Sequence, residues 1–381
     1  MYKRRVDLHG LLKRKSTLLL GPRQTGKSTL ARELGEGVQY VDLAQTDTYR
    51  ELSARPELIR QRMSERKRIL VIDEAQKLPE ILDEVQVILD RNKDLRVLMT
   101  GSSARKLRRS GVNLLPGRIW RKHLYPMVSA ELGSARIDDR VRRGSLPGIV
   151  DSPDFRMELK NYVGLYLEEE IRSEGLTRNV GNFNRFLTTA ALCNAEQINY
   201  TSISNDIGLP LNTVKNYFQI LYDTLIGYEL APFRKTRTRK AVATPKFYLF
   251  DLGVANELLG RFEIERHGDL FGKSLEHLIL TELKAALDYF DSDMPLTYWR
   301  SLSQFEVDFL LGDTIAIEVK AKRAVSQKEE RSLTALGDDV RLKRRIIVCL
   351  EEHRRKSDSG CEIIPVEDFL QQLWQSGPDG L

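Results

Sequence analysis

Eight consecutive residues carry the strongest chemical signal in the chain: Gly21-Pro22-Arg23-Gln24-Thr25-Gly26-Lys27-Ser28. They fit G-x-x-x-x-G-K-[ST], a spacing whose chemistry is phosphate binding. The glycines let backbone N–H groups turn inward around phosphate oxygens with no Cβ in the way. Lys27 is placed to neutralise the β- and γ-phosphates of ATP, and the Ser28 hydroxyl to reach Mg²⁺. Thr29 completes the nucleotide-binding stretch. A chance match in a chain of this composition is on the order of 1%, so a mere Gly-rich turn is the weaker reading.

A second part follows in Arg68-Ile-Leu-Val-Ile-Asp73-Glu74. An apolar strand there carries Asp73 to its carboxyl end, where it can hold Mg²⁺ through water. Glu74 beside it could polarise the attacking water. Val97-Leu-Met-Thr100-Gly101-Ser102-Ser103 is a further strand ending in small hydroxyl residues, one of which can sit between the acidic pair and the γ-phosphate as a sensor; Ser102 is counted among the ATP-binding residues, and a Ser-rich turn is the competing reading. Arg118, in Leu115-Pro-Gly117-Arg118, is a candidate to complete a neighbouring subunit's site, with Arg105 the alternative.

The next informative stretch is Phe305-Glu306-Val-Asp308-Phe-Leu-Leu-Gly312-Asp-Thr-Ile-Ala-Ile-Glu318-Val-Lys320. If Gly312-Asp313-Thr314 forms the loop of a hairpin, Leu311 lies opposite Ile315 and Asp308 opposite Glu318. Val307, Phe309, Leu311, Ile315, Ile317 and Val319 would then share one face. Glu306, Asp308, Glu318 and Lys320 would share the other. Asp308 and Glu318 can supply oxygen ligands to Mg²⁺ or Mn²⁺, with Glu276 from the preceding helix as a further ligand. Such a metal can activate water against a phosphodiester, with Lys320 stabilising the charge. The competing reading is a solvated face of an edge hairpin.

These residues need a scaffold, and the hydrophobic pattern supplies one. Ser16–Leu20, 38–43, 68–72 and 97–100 read as short aliphatic strands alternating with helices, which implies a parallel sheet covered on both faces. From about residue 155 the pattern turns helical. Residues 200–225 read as helix, turn, helix, with Asn212 as the N-cap of the second helix. Arg234-Lys235-Thr-Arg237-Thr-Arg239-Lys240 has five basic residues in seven and no acid, the density that DNA phosphates favour. A long helix from Gly272, three strands, a helix and a strand follow. The tail after Ser376 reads as loose.

Composition narrows the field modestly. The chain has 381 residues, 60 Lys plus Arg against 54 Asp plus Glu, and a hydrophobic content of 41%. That is an ordinary globular composition with a slight basic excess, compatible with nucleic acid without requiring it. Cys193, Cys349 and Cys361 show no metal spacing and read as free thiols. No apolar run reaches the length of a membrane helix, and Met1–Lys15 lacks a secretory pattern. The expected location is cytoplasmic.

The order P-loop, Asp-Glu strand, Thr-Gly-Ser-Ser strand and Pro-Gly-Arg resembles the AAA+ ATPases. More narrowly, with Val41-Asp42-Leu43 and Gly144-Ser-Leu-Pro-Gly-Ile149, it is similar to a prokaryotic group usually called simply ATP-binding proteins. That group continues into a winged-helix region and a nuclease-like domain. Residues 200–248 look like a winged helix-turn-helix, with Phe233–Tyr248 as wing. Asp308 followed by Glu318-Val-Lys320, with Glu276 before them, resembles the PD-(D/E)xK nucleases, although Val307 stands where that family has Pro. The resemblance implies an AAA+ ATPase domain over 1–150, a helical winged-helix domain over 151–265 and an α+β, restriction-endonuclease-like domain over 266–381. It also implies ring assembly, as a hexamer, and an ATP-driven motor with a metal-dependent nuclease. Branched DNA such as Holliday junctions is the expected substrate. The alternatives are a nucleotide-switch ATPase in signalling or defence, and a DNA-binding regulator with an inactive nuclease-like domain.

Overall fold

The computed structural model describes residues 2–64, 66–103, 115–133, 136–167, 180–236, 239–266 and 268–381. Arg105 and Arg237 lie outside the described residues. The chain forms two compact units, Met1–Pro126 with Ile220–Ile226, and Met127–Gln219 with Gly227–Leu381.

The first unit is built on five strands: β1 (Ser16–Leu20), β2 (Val38–Asp42), β3 (Ile69–Asp73), β4 (Arg96–Gly101) and β5 (Ile119–His123). They form one sheet in the order β2-β3-β4-β1-β5, and every pairing is parallel. This is the parallel sheet that the alternating pattern implies. The aliphatic strands are central because a parallel sheet buries both faces. Leu18, Leu20, Leu70, Ile72, Val97 and Met99 share a core with Ile81, Leu82, Val85 and Ile88. Those four sit at helical spacing on the helix Ile81–Arg91. The sequence pattern missed β5, because Ile119-Trp-Arg-Lys-His is an edge strand without an apolar run.

The second unit contains two sheets. Helices Val180–Leu192 and Tyr200–Ile207, with the helix Leu211–Asp223 as far as Gln219, accompany strands β6 (Glu196–Gln197), β7 (Gly227–Leu230) and β8 (Lys246–Leu249). The three strands pair antiparallel in the order β6-β8-β7. Asn212 is not the N-cap: the last helix begins at Leu211, and the Thr213 N–H already donates to the Pro210 carbonyl at 2.9 Å. Proline before the first helical residue starts the turn earlier than the Asn signal suggested.

The larger sheet comprises β9 (Leu296–Arg300), β10 (Glu306–Leu311), β11 (Ile315–Val319), β12 (Arg344–Cys349), β13 (Arg355–Lys356) and β14 (Glu362–Pro365). Its order is β13-β14-β12-β11-β10-β9. The helix Asp269–Tyr289 packs within this unit, burying Leu275, Leu278, Ile279 and Leu283. The C-terminal residues are ordered rather than loose. A helix runs to Ser376, a short turn covers Pro378–Gly380, and Leu381 is buried.

Candidate functional site

The P-loop lies between β1 and the helix Lys27–Arg32, at the carboxyl end of the parallel strands where such sheets bind ligands. Two glycines are required by geometry. A Cβ on Gly21 would meet the Leu124 carbonyl oxygen at 2.4 Å, and Gly26 has φ +92°. Lys27 is buried, and its Nζ donates to the carbonyls of Gly21 and Pro22 at 2.8 and 2.9 Å. The Thr25 hydroxyl donates to the Pro22 carbonyl at 2.9 Å. Arg4 braces the loop through the Thr25 and Tyr125 carbonyls, at 2.5 and 2.7 Å.

Asp73 is the centre of the site. Its Oδ1 accepts from Ser28 Oγ at 3.1 Å and from the Thr100 hydroxyl, and its Oδ2 accepts from Tyr40 Oη at 2.5 Å. Three strands converge here because β4 stands between β1 and β3, and β2 flanks β3. Burial and the neighbouring carboxylate hold the Tyr40 phenol well above its ordinary pKa, so Tyr40 stays a proton donor to Asp73. Glu74 adopts the left-handed conformation at φ +60°. Its N–H donates to Thr100 Oγ1 at 3.0 Å, and its Oε2 accepts from Gln76 Nε2 at 2.5 Å.

Ser28 and Asp73 fit Mg²⁺: both are oxygen ligands, already 3.1 Å apart on adjoining elements. They are the residues that would hold it, and the ion would supply charge stabilisation at the phosphates. Thr100 contacts Asp73 and Glu74, whereas Ser102 Oγ accepts from Gln76 Nε2 at 3.0 Å. Sequence reasoning missed Tyr40 and Gln76, since nothing in a strand's own sequence says which strand it will lie beside.

Arg118 is paired within its own chain. Its Nε and Nη2 reach the Asp90 carboxylate at 2.9 and 3.2 Å on the surface, and each group favours the other's charged form.

The second charged site belongs to the other unit. The hairpin has the expected register, Leu311 opposite Ile315 and Phe309 opposite Ile317. It is not an edge hairpin, since β11 lies between β10 and β12. Asp308 and Glu318 are buried at 7% and 4% exposure, which excludes the solvated-face reading. The expected division of faces fails at one point. A bulge between Val307 and Leu310 inserts one extra residue against β9, so Val307 joins the core of Leu310 and Ala316 instead of following Phe309. The bend leaves Asp308 Oδ2 accepting from the Val319 N–H at 2.7 Å.

Around this bend four carboxylates and three basic groups meet. Lys320 pairs with Glu318 Oε1, while the buried Glu318 Oε2 has no hydrogen-bond partner among the described residues. Burial, then the charge of Asp308, pushes Glu318 up to about 8. Glu276 accepts from Lys246 Nζ at 2.9 Å and from Tyr248 Oη at 2.5 Å, and burial lifts it to about 7. Lys246 also pairs with Glu306 at 2.6 Å, and Arg300 reaches Glu306 at 3.2 Å. Among the described residues, no three His, Cys, Asp or Glu side chains come together as a metal-holding group. The expected Glu276-Asp308-Glu318 metal set is not gathered as such a group, and Lys246 and Tyr248 both donate to Glu276 Oε1. Lys246 was invisible to motif reasoning: it reaches the cluster from another sheet.

The basic stretch is not a free wing. The chain on either side of it pairs with β9, Phe233 N donating to Tyr298 O at 2.7 Å and Val242 N to Arg300 O at 2.8 Å. Arg239 is turned inward onto Asp338 at 3.2 Å and Asp339 at 3.3 Å, and Arg234 donates to the Ala243 carbonyl at 2.9 Å. Lys235 and Lys240 are exposed.

Sheet order, P-loop and the hydroxyl-bound Asp73 define the first unit as a P-loop ATPase domain, and residues 13–133 match the family described as an AAA domain. Residues 134–265 match a domain of unknown function (DUF8612), and residues 271–369 another (DUF4143). The chain is similar to the Uncharacterized protein Mb2031c of Mycobacterium bovis, at 28% identity over 364 residues, 93% of this chain and 80% of the relative. The same figures hold for the Uncharacterized protein Rv2008c of Mycobacterium tuberculosis. Among the described residues no helix is long and apolar enough to cross a membrane.

Proposed function

We propose that this protein hydrolyses ATP with the machinery of Lys27, Ser28, Asp73, Glu74 and Thr100, and applies the cycle to DNA. The observation that carries the reading is Asp73 held by hydroxyls from three elements at the carboxyl end of the sheet. Lys27 binds the phosphates, Ser28 and Asp73 orient Mg²⁺, and Glu74 aligns the attacking water. Arg118 then acts in trans in a ring, which requires it to leave Asp90.

The DNA part rests on the second unit. We infer a winged helix over 180–249. The helix-strand-helix-helix-strand-strand order and the β6-β8-β7 sheet support it, as do exposed Lys235 and Lys240. Within the two compact units we keep the functional division at residues 150 and 265. Branched DNA is the proposed substrate, because a motor on a junction can act without sequence readout. Cutting by Asp308, Glu318 and Lys320 is the second reading, favoured by the unpartnered Glu318 Oε2 and opposed by Lys246.

The test is ATP turnover with matched linear, forked and four-way-junction DNAs, with cleavage followed in Mg²⁺ and Mn²⁺ beside Asp308→Ala. Turnover stimulated by DNA, without cleavage, supports the first reading. Cleavage lost in Asp308→Ala establishes the second. Tight ATP binding with no turnover on any DNA would replace both with a nucleotide switch.

A further inference from the structure

The C-terminal cluster has the residue types of a metal site and the geometry of something else. Glu276, Glu306, Asp308 and Glu318 are all carboxylates, and nearby are Lys246, Lys320 and Arg300. Lys246 is distinguished by its position. It opens β8, where its backbone pairs with Leu230 and Gln197. Its side chain is 4% exposed, and its Nζ lies 2.9 Å from Glu276 and 2.6 Å from Glu306. The Tyr298 ring centroid is 5.4 Å from the same Nζ. The ammonium is thus clamped between carboxylates from a helix and a strand of another sheet.

We propose that Lys246 is the resident cation of this cluster, joining Glu276 to Glu306 as a divalent ion would, and that it closes the site to Mg²⁺ and Mn²⁺. A hard divalent ion needs oxygen ligands with free lone pairs at about 2.0–2.2 Å. Glu276 Oε1 already accepts two hydrogen bonds, from Lys246 and Tyr248. Charge says the same. Lys246 is one of three cations facing the four carboxyl groups, and removing it deletes the positive charge that Glu276 and Glu306 share. A buried ammonium whose partners are carboxylates is costly to remove, because Glu276 and Glu306 each lose an ion-pair partner and keep only Tyr248 and Arg300 respectively. The inference deepens the reading in which the second unit contacts DNA without cutting it. Its test is independent of ATP turnover, so the two can fail separately.

The experiment is Mn²⁺ titration of the full, nucleotide-free chain, read by electron paramagnetic resonance and by calorimetry. Wild type should show no site that Asp308→Asn removes. Lys246→Met keeps the apolar stem and deletes the charge. It should gain one Mn²⁺ site, at least tenfold tighter than anything in wild type and lost again in Lys246→Met/Asp308→Asn. Lys246→Arg, which keeps a cation, should behave as wild type. A wild-type Mn²⁺ site abolished by Asp308→Asn would overturn the proposal, and so would a folded Lys246→Met that binds no Mn²⁺. Should Lys246→Met fail to fold by near-ultraviolet circular dichroism, the wild-type and Asp308→Asn titrations alone still decide it.

Discussion

Replacing Thr100 by Val keeps the shape of the side chain and removes one hydroxyl, and that hydroxyl makes two contacts. It donates to Asp73 Oδ1 and accepts from the Glu74 N–H at 3.0 Å. Glu74 sits at φ +60°, a conformation a glutamate keeps only when its surroundings fix it. In Thr100→Val the Glu74 N–H loses its acceptor, and the carboxylate meant to align water loses its anchor. A hydrogen bond to a charged group contributes about 1.5–3 kcal/mol, and each 1.36 kcal/mol on the barrier is about tenfold in rate. If the loss is felt mainly in the transition state, kcat falls about 10- to 150-fold. ATP affinity should hardly move, because phosphate binding rests on Lys27 and the loop backbone. Thr100→Ser restores the hydroxyl and should restore turnover. A coupled ATPase assay beside fluorescent-nucleotide binding reads both quantities. Unchanged turnover in Thr100→Val would refute this reasoning, and so would a parallel collapse of binding.

Three further perturbations probe other parts. Glu282 is fully buried and accepts from Ser129 N, Ser129 Oγ, Trp374 Nε1 and Arg140, the last at 2.6 Å. Glu282→Gln strands the Arg140 charge, at a cost of about 3–5 kcal/mol. At roughly 2–4 °C per kcal/mol the calorimetric midpoint of the second unit drops by about 6–20 °C; an unmoved midpoint would show that the pair is dispensable. His277 is buried and held neutral, its pKa lowered to about 4 by desolvation. The unfolded chain takes up that proton below its ordinary 6.5. His277 therefore costs about 3 kcal/mol of stability as pH falls from 6.5 to 4. Asp251, pushed up to about 6 by burial, runs the other way, so the quantity to measure is wild type minus His277→Leu in urea unfolding, and parallel pH profiles would contradict it. Arg118→Ala should abolish turnover, spare ATP binding and leave the melting midpoint unmoved, since the Asp90 pair is exposed; retained turnover would rule out its role in trans.

The P-loop was legible because its chemistry is contiguous: Gly21–Ser28 states the loop, the phosphate lysine and the metal hydroxyl in one run. Asp73 was legible because an aliphatic strand that ends in an acid delivers it to the carboxyl edge of the sheet. What surrounds Asp73 was not, since Tyr40 reaches it through the pairing of β2 with β3, and strand order is settled by crossovers rather than by any one strand's residues. The hairpin register followed from loop length and apolar alternation, until one inserted residue in β10 broke the alternation at Asp308. A bulge leaves no sign in hydrophobic pattern, because both of its faces here are buried. The deeper gap concerns charge. Reading along Asp308…Glu318-Val-Lys320 yields a set of donors, and donors alone do not say which cation they hold. That is decided by residues distant in sequence, here Lys246 from β8 with Tyr248 beside it. A motif of carboxylates becomes a metal site only when no internal cation occupies it first. The identity of the residue at position 246 is therefore as informative about this domain's chemistry as the acidic residues that define the motif.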